Sequence, residues 1–218
     1  MNVKTLAVLV AIVLTGATRA PGDMPKTPTP MVTASSGGEF FFVMIPEKGR
    51  VEGRAYVVDR QAFGVCYRVN SDGKFEEQWR THGWYSLEVY LSDDGRHLVR
   101  MGPWSRGDRP ARNHLAVAFY KDGKPIKGYS TAQLVRNHGA VIKSVSHYRW
   151  LARYRYMATG ADPTDDAHLR LDWNNIFHLT TVDGIKYEFD ARTGRIIGRS
   201  DDAGPNDPHR APTLERKE

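Results

Sequence analysis

The sequence contains a single cysteine, Cys66, among its 218 residues. One cysteine cannot form an internal disulfide, so the core must be stabilised by packing alone. Alternation within residues 65–69 places Cys66 on the face opposite Val65 and Tyr67. This pattern favours a small, inert apolar side chain over a nucleophile or an intermolecular disulfide.

The sequence also lacks an apolar run long enough to span a bilayer, which needs about 20 residues. The longest run, residues 6–14, follows Lys4 and precedes the small residues Thr18 and Ala20. This arrangement predicts a signal peptide over residues 1–20, cleaved after Ala20. We therefore expect an exported protein, periplasmic or extracellular, with no transmembrane segment after removal of the signal.

The sequence has no large excess of basic over acidic residues. The formal net charge is +6, and Lys4 and Arg19 leave with the predicted signal. The mature chain then has 29 basic residues, two fewer than the full chain's 31, against 25 acidic ones. A net charge of this size argues against a dedicated nucleic-acid binder.

The ends of the mature chain are poor in apolar periodicity. Residues 21–38 are rich in proline, serine, threonine and glycine and are predicted to form a flexible linker. Residues 200–218 are polar, with three prolines, and are predicted to be a disordered tail. Residues 39–199 remain for a single β-rich domain, a length that suits one core.

The clearest structural pattern is the alternation within residues 176–199. Phe177 and Leu179 share one face before the turn at Asp183, and Tyr187 and Phe189 share one face after it. The Asp-Gly pair at 183–184 predicts a two-residue hairpin. Three antiparallel strands are expected, whose core is formed where these four side chains meet.

The same succession of short strand, Asp-Gly turn and short strand recurs through the domain. We therefore predict a mainly β fold, an antiparallel meander forming a sandwich or an open barrel, with a partial propeller-like arrangement as the alternative. One short α-helix is expected after Ser130, because Ser130 and Gln133 have capping-box spacing, and Gly139 is its expected stop.

Residues 147–157 are predicted to form another strand. At a period of two, Tyr148, Trp150, Tyr154 and Tyr156 point one way, and Arg149, Arg153 and Arg155 point the other. The arginines then form a solvated face, with binding of phosphate or an acidic polysaccharide as the alternative interpretation.

Residues 183–194, read as DGIKYEFDARTG, resemble a blade repeat of quinoprotein-type β-propellers, in which D-G-x-x-Y-x-x-D-x-x-T-G closes one hairpin and opens the next strand. Residues 92–99 are similar to an S-x-D-G-x-x-L-V hairpin of several propeller families. The resemblance implies a local blade shape. Gly198 stands where those repeats commonly have a docking tryptophan, and the Asp-Gly turns have no fixed period, so quinone binding is not implied.

Two phrases, SVSHYRWL and LTTVDGIKYEFDARTG, also look similar to segments of uncharacterised exported bacterial proteins. This resemblance implies no activity.

No motif for metal or hydrolytic chemistry is present. Asp162, Asp165, Asp166 and His168 are the candidates for calcium or zinc ligands, but they have neither zinc-site spacing nor a calcium-loop pattern, which favours a solvated turn. No cofactor is predicted. G-x-S-x-G is absent, so a secreted hydrolase would need histidines and carboxylates that meet only in the folded chain.

Aromatic residues near predicted strand ends are the main candidates for a binding surface, namely Trp84, Tyr85, Trp104 and Trp173. Flat rings beside polar groups suit stacking on sugar rings or on a peptide, although large aromatics also close the ends of β cores. The sequence therefore predicts a non-catalytic domain that binds a ligand or partner (a glycan, a peptide or an envelope protein). The alternative is the secreted hydrolase.

Overall fold

A computed structural model of the chain describes residues 26–154 and 169–201. The strands of the first half are β1 (Met31–Ala34), β2 (Phe40–Ile45), β3 (Lys48–Glu52), β4 (Ala55–Arg60), β5 (Phe63–Val69), β6 (Phe75–His82), β7 (Val89–Leu91) and β8 (His97–Met101). Those of the second half are β9 (Leu115–Lys121), β10 (Lys124–Ser130), β11 (Ile142–Lys143), β12 (Tyr148–Arg149), β13 (Arg170–Leu171), β14 (Ile176–Thr180), β15 (Ile185–Asp190) and β16 (Arg195–Asp201). The helix α1 covers Thr131–Leu134.

Three four-stranded antiparallel sheets dominate the fold. Sheet 1 has the order β1-β2-β5-β6, sheet 2 the order β7-β8-β9-β10, and sheet 3 the order β13-β14-β15-β16. Each is an up-and-down meander, with β3 and β4 inserted into sheet 1 as a separate hairpin. Strands β11 and β12 form a small two-stranded sheet between sheets 2 and 3 in the chain.

The three sheets are stacked face to face, with sheet 2 in the middle. Leu98 and Tyr120 of sheet 2 belong to one core with Phe42 and Cys66 of sheet 1. The neighbouring positions on the opposite face of sheet 2, among them Phe119, belong to a second core with sheet 3. Sheet 2 is therefore apolar on both faces, whereas sheets 1 and 3 each pack only one of their faces against sheet 2.

The first strands of the sheets lie next to one another, because β7 contacts both β1 and β13. Stacked four-stranded meanders with adjacent first strands form a partial propeller, the alternative named from the sequence. The prediction of a mainly β, antiparallel fold is confirmed, and the described residues form no closed barrel. No helix within the two described ranges has the length and apolar character needed to cross a bilayer.

The predicted meander of residues 176–199 is confirmed in β14, β15 and β16. Phe177 pairs with Phe189 and Leu179 with Tyr187, and all four side chains are buried. The turn between β14 and β15 is longer than the predicted two-residue hairpin, because the N–H of Thr181 donates to the carbonyl of Ile185. A true two-residue Asp-Gly turn occurs instead at Asp122 and Gly123, both with positive φ.

The predicted helix is present but shorter than expected. It begins after Ser130, whose backbone N–H donates to Oε1 of Gln133 over 2.8 Å, and it ends at Leu134, well before Gly139. The reason is a competing acceptor. Oδ2 of Asp183 accepts the backbone N–H groups of Arg136 and Asn137, at 2.7 and 2.8 Å, and this directs the chain away from the helix axis.

The prediction of a continuous strand over residues 147–157 is wrong for residues 150–154. Strand β12 covers only Tyr148–Arg149, and the chain then turns, with the N–H of Tyr154 donating to the carbonyl of Leu151. The turn allows Arg153 to reach the partly buried carboxylate of Glu88, so the alternation seen in the sequence does not describe two opposite faces. Residues 155–157 lie outside the described ranges.

Strand β1 lies within residues 21–38, which were predicted to be a linker. It pairs with β2 through four successive residues, and Met31 packs on the core between sheets 1 and 2. Four residues are too few to show an apolar period, so only the pairing with β2 identifies this strand.

Candidate functional site

A cavity of about 490 Å³ lies between sheet 2 and the segment that leads into sheet 3. Its walls come from residues before β7, from the loop after β8 and from the segment around β12. Its charged and aromatic lining residues include Lys26, Glu88, Trp104, His147, Arg149, Arg153 and Tyr154. They meet because the loop after β8 is bonded to the β12 segment, with the N–H of Tyr148 donating to the carbonyl of Ser105.

An ion pair between Glu88 and Arg153 forms one side of the cavity. The two guanidinium NH groups donate to the two carboxylate oxygens, each over 2.7 Å, in a bidentate arrangement. The hydroxyl of Tyr90 donates to Oε1 of the same carboxylate over 2.5 Å. Charge-assisted bonds of this kind are stronger than neutral ones and fix the geometry of both partners.

Burial and pairing have opposite effects on Glu88. Burial alone would raise the pKa of Glu88, but the hydrogen bonds and charge of Arg153, together with the Tyr90 hydroxyl, lower the pKa below its ordinary value. Burial and the adjacent carboxylate raise the pKa of Tyr90. For Arg153, burial opposes the charged form, yet Glu88 raises its pKa. Glu88 is therefore an ionised, fully engaged carboxylate at neutral pH.

The backbone next to Glu88 is also fixed. The hydroxyl of Ser86 lies 2.9 Å from the carbonyl oxygens of both Glu88 and Met101, and its oxygen accepts the N–H of Glu88. Ser86 is buried. This hydroxyl ties the segment before β7 to the end of β8 and gives the cavity a rigid rim.

Trp104 provides the aromatic wall. Its ring is half-buried and lies 3.9 Å, centroid to centroid, from the buried ring of His147. His147 in turn forms a β-bridge with Arg106, in the same loop as Trp104. The indole is thus held by packing beneath it, while part of its surface remains accessible to a ligand.

Three of the described residues that line the cavity carry a positive charge. Among the described residues that line the cavity, Lys26, Arg149 and Arg153 are cationic and Glu88 is the carboxylate. The guanidinium carbons of Arg149 and Arg153 lie 5.5 and 5.2 Å from the ring centre of Tyr154. Cationic groups around a concave site attract anionic ligands.

Of the aromatic residues predicted to bind, the structure places only Trp104 in this cavity. Trp84 packs on Phe42 and Tyr120, and its Nε1–H donates to Thr81 over 2.9 Å. These contacts give Trp84 a role in the core between sheets 1 and 2.

The two other predicted residues lie elsewhere. The hydroxyl of Tyr85 donates to the carbonyl of Thr29 over 2.7 Å, which attaches the chain ahead of β1. Trp173 is 79% exposed at the tip of the turn between β13 and β14, where Asp172 accepts the N–H groups of Asn174 and Ile176. The aromatic residues are therefore not gathered into one surface.

The weak metal candidates Asp162, Asp165, Asp166 and His168 lie outside the described residues. Within residues 26–154 and 169–201, no group of three His, Cys, Asp or Glu side chains is arranged to hold a metal ion. A hydrolytic site would need a histidine that meets carboxylates in the folded chain. Of the residues that the structure describes, the cavity brings together His147 and one carboxylate, Glu88, which is already paired with Arg153.

Cys66 is fully buried on the face of sheet 1 that packs against sheet 2. Its thiol lies 3.4 Å from the carbonyl oxygen of Gly95. Burial raises the pKa of Cys66 to about 12, so the nucleophilic thiolate is not formed at neutral pH.

Sequence reasoning did not find Glu88, Tyr90 or His147 as residues of one site. Glu88 and Arg153 are 65 positions apart, and neither belongs to a recognisable motif. The only signal in the sequence was the group of arginines after Tyr148. Arg149 and Arg153 belong to this group, for which binding of phosphate or an acidic polysaccharide was the alternative interpretation.

No protein-family model matches this sequence, and no curated protein matches it. Among solved structures, a structure of the Dos1 propeller is similar, with 9% identity and a TM-score of 0.36, over 77% of this chain and 32% of that one. A crystal structure of HIRA(644-1017) is similar with 14% identity and a TM-score of 0.33, over 79% of this chain and 53% of the other. The chain therefore spans about a third and about half of the lengths of these two structures.

Proposed function

We propose that this protein is an exported, non-catalytic binding domain that takes an acidic glycan into the cavity beside Trp104. The observation that carries the proposal is the composition of the cavity wall, in which a partly accessible indole stands beside Lys26, Arg149 and the ion pair of Arg153 with Glu88. A flat ring stacks on a sugar ring, and guanidinium or ammonium groups bind its carboxylates or sulfates.

The size of the cavity supports a small ligand. Sites for small molecules usually have volumes of about 300–1,000 Å³, and this one has about 490 Å³. A cavity of this size suits one or two sugar rings of a longer chain, with the rest of the chain lying in solvent. Export, expected from residues 1–20, would bring the domain to a compartment where acidic polysaccharides are present.

The state of Glu88 favours binding over hydrolysis. A glycosidase needs two carboxyl groups at the scissile bond, one of which must be protonated. Glu88 is the only carboxylate that lines the cavity among the described residues, and the arginine at 153 lowers its pKa. We therefore infer that Glu88 holds Arg153 in position, and that the cavity binds its ligand without hydrolysing it.

The proposal can be tested by titrating the purified mature chain, residues 21–218, with hexuronic-acid oligosaccharides and following tryptophan fluorescence. Trp104 and Trp150 both line the cavity, so binding is expected to change the emission. Trp104→Ala should weaken binding at least tenfold, a loss of about 1.4 kcal/mol. Trp173→Ala, at the exposed turn, is the matched control and should bind like wild type.

Four further results decide between the alternatives. Neutral oligosaccharides should not bind, and binding of the acidic ones should weaken with added salt because the attraction is electrostatic. Acidic peptides that bind in place of the oligosaccharides would assign the site to a protein partner. Loss of binding in Trp173→Ala but not in Trp104→Ala would move the site to the β13–β14 turn and contradict the proposal.

A further inference from the structure

The chain ahead of β1 reaches the cavity. Residues 26–30, which form the N-terminal arm, are exposed to solvent and belong to no strand. At one end of the arm Lys26 lines the cavity. At the other end Met31 begins β1 and packs on the core between sheets 1 and 2. The arm therefore runs from sheet 1 to the cavity beside sheet 2.

One side chain fastens the arm. The hydroxyl of Tyr85 donates to the carbonyl of Thr29 over 2.7 Å and accepts the N–H of the same residue over 3.3 Å. Among the residues that the structure describes, the arm forms no other hydrogen bond. Tyr85 thus holds both backbone polar groups of Thr29, as a residue of a neighbouring antiparallel strand would.

Tyr85 is itself held in place. Its ring is half-buried and packs on the core between sheets 1 and 2. The next residue, Ser86, is buried, and its hydroxyl is bonded to the carbonyl oxygens of Glu88 and Met101 at the rim of the cavity. The Tyr85 hydroxyl is therefore a fixed point close to that rim.

The sequence of the arm makes it stiff. Its last four residues are Thr27, Pro28, Thr29 and Pro30. Proline fixes its own φ, and a residue that precedes proline is restricted to extended conformations. Lys26 is three positions before Thr29, a span of about 9 Å at roughly 3.1 Å per residue of extended chain. Fastening the arm at Thr29 therefore restricts where Lys26 can lie.

Lys26 differs from Arg153 in its availability to a ligand. Arg153 is paired with Glu88, whereas Lys26 forms no ion pair with a carboxylate of the described ranges. An anion can therefore bind the Lys26 ammonium without displacing a protein carboxylate. A long side chain on a loose segment loses entropy when it binds, and an arm that is already held in place lowers this cost.

We propose that Tyr85 is a positioning residue for the ligand of the cavity. Its hydroxyl fastens the N-terminal arm and thereby holds the ammonium group of Lys26 where it binds an anionic group. The role of the ligand rests on the proposed function, whereas the fastening of the arm does not. Tyr85, which was predicted to bind by stacking, acts instead through Thr29 and Lys26.

The first test needs no ligand. Trypsin cleaves after lysine only where the chain can enter the protease as a loose segment, so the fastened arm should protect the bond after Lys26. In the mature chain, residues 21–218, Tyr85→Phe should accelerate this cleavage about fivefold, the effect of losing one net hydrogen bond. Mass spectrometry at early times measures both this cut and the internal control, cleavage after Arg54 in the exposed turn between β3 and β4. Cleavage after Arg54 should have the same rate in both proteins.

The second test is the affinity for hexuronic-acid oligosaccharides, followed by tryptophan fluorescence. Tyr85→Phe and Lys26→Gln should each weaken binding about fivefold. The double variant should be no weaker than either single one, because both changes remove the same contact. The affinity of each variant should also depend less on salt, since one cation no longer contributes, and altered packing alone would not change this dependence. Tyr56→Phe removes an exposed hydroxyl elsewhere and should match wild type in both tests.

Several results would overturn the inference. Unchanged cleavage after Lys26 in Tyr85→Phe would show that the hydroxyl does not fasten the arm, whatever the protein binds. Faster cleavage with unchanged affinity would show that the arm does not serve the cavity. Additive losses in the double variant would show that Tyr85 does not act through Lys26. If wild type binds no oligosaccharide although Tyr85→Phe is cleaved faster, the proposed ligand is wrong and the fastened arm is established.

Discussion

Arg153 and Glu88 are joined by two parallel hydrogen bonds of 2.7 Å. Glu88 stands immediately before β7 in sheet 2, and Arg153 stands in the turn after β12 on the way to sheet 3. The pair therefore links two parts of the chain that are 65 positions apart and forms one wall of the cavity.

Replacing Arg153 should destabilise the fold. In Arg153→Met the aliphatic volume is largely kept, but the partly buried carboxylate of Glu88 loses its counter-ion, at a cost of about 2 kcal/mol. Urea denaturation of the mature chain measures the loss. Glu88→Gln combined with Arg153→Met is the matched control and should be closer to wild type, because no charge is left unpaired. Equal losses in the single and double variants would contradict a role for pairing.

The same pair predicts how stability depends on pH. The pKa of Glu88 in the folded protein is lowered from its ordinary value of 4.5. The contribution of the ionised carboxylate is therefore complete above that value and is lost as the pH falls through the lower, folded pKa. The unfolding free energies of wild type and Glu88→Gln should differ by a constant amount between about pH 6 and pH 8, where Glu88 is ionised in both the folded and the unfolded state. The difference should shrink below about pH 4.5. A difference that is constant through the acid range would contradict this assignment.

Cys66 should be unreactive in the native state. Burial raises its pKa to about 12, and the side chain has no exposed surface. A thiol-specific chromogenic reagent at pH 8 should therefore label the folded protein only as fast as it unfolds, and should label it at once in denaturant. Rapid labelling without denaturant would show that sheets 1 and 2 separate readily.

Most of the fold was predictable where the apolar pattern has a period of two and the turns carry glycine. Phe177, Leu179, Tyr187 and Phe189 form the expected ladder because each occupies an alternate position of a strand longer than four residues. The length of α1 was not predictable. Its end depends on Asp183, which accepts two N–H groups from residues 46 and 47 positions away.

Less of the candidate site was predictable. Trp104 was identified because it follows Gly-Pro in a loop, and the arginines were noted because they are close in sequence. Their shared cavity was not predicted, because the alternation of residues 147–157 suggested two opposite faces. A single turn after Leu151 brings Arg149, Arg153 and Tyr154 to the same side, and local sequence does not specify that turn.

The Asp-Gly turn between β9 and β10 of sheet 2 packs against sheet 1. Gly123 is the residue of this turn that permits the close contact. Gly123 has a φ of +78°, and a Cβ at this position would lie 2.4 Å from the carbonyl oxygen of Arg80 in β6. Gly53, in the turn between β3 and β4, has a φ of +62° but nothing within 4 Å of a Cβ. The two glycines therefore have similar backbone conformations and differ in the room that is available for a side chain.

Gly53→Ala should cost about 1 kcal/mol, the strain of a left-handed residue alone. Gly123→Ala should cost this amount and about 1–3 kcal/mol more, because the backbone of β6 must move to relieve the overlap. Urea denaturation of both variants measures the difference. In Gly123→Ala the moved strand should also loosen the packing around Cys66, so its labelling should be faster than in Gly53→Ala. Equal free energies for the two variants would show that sheets 1 and 2 are not in contact at this turn.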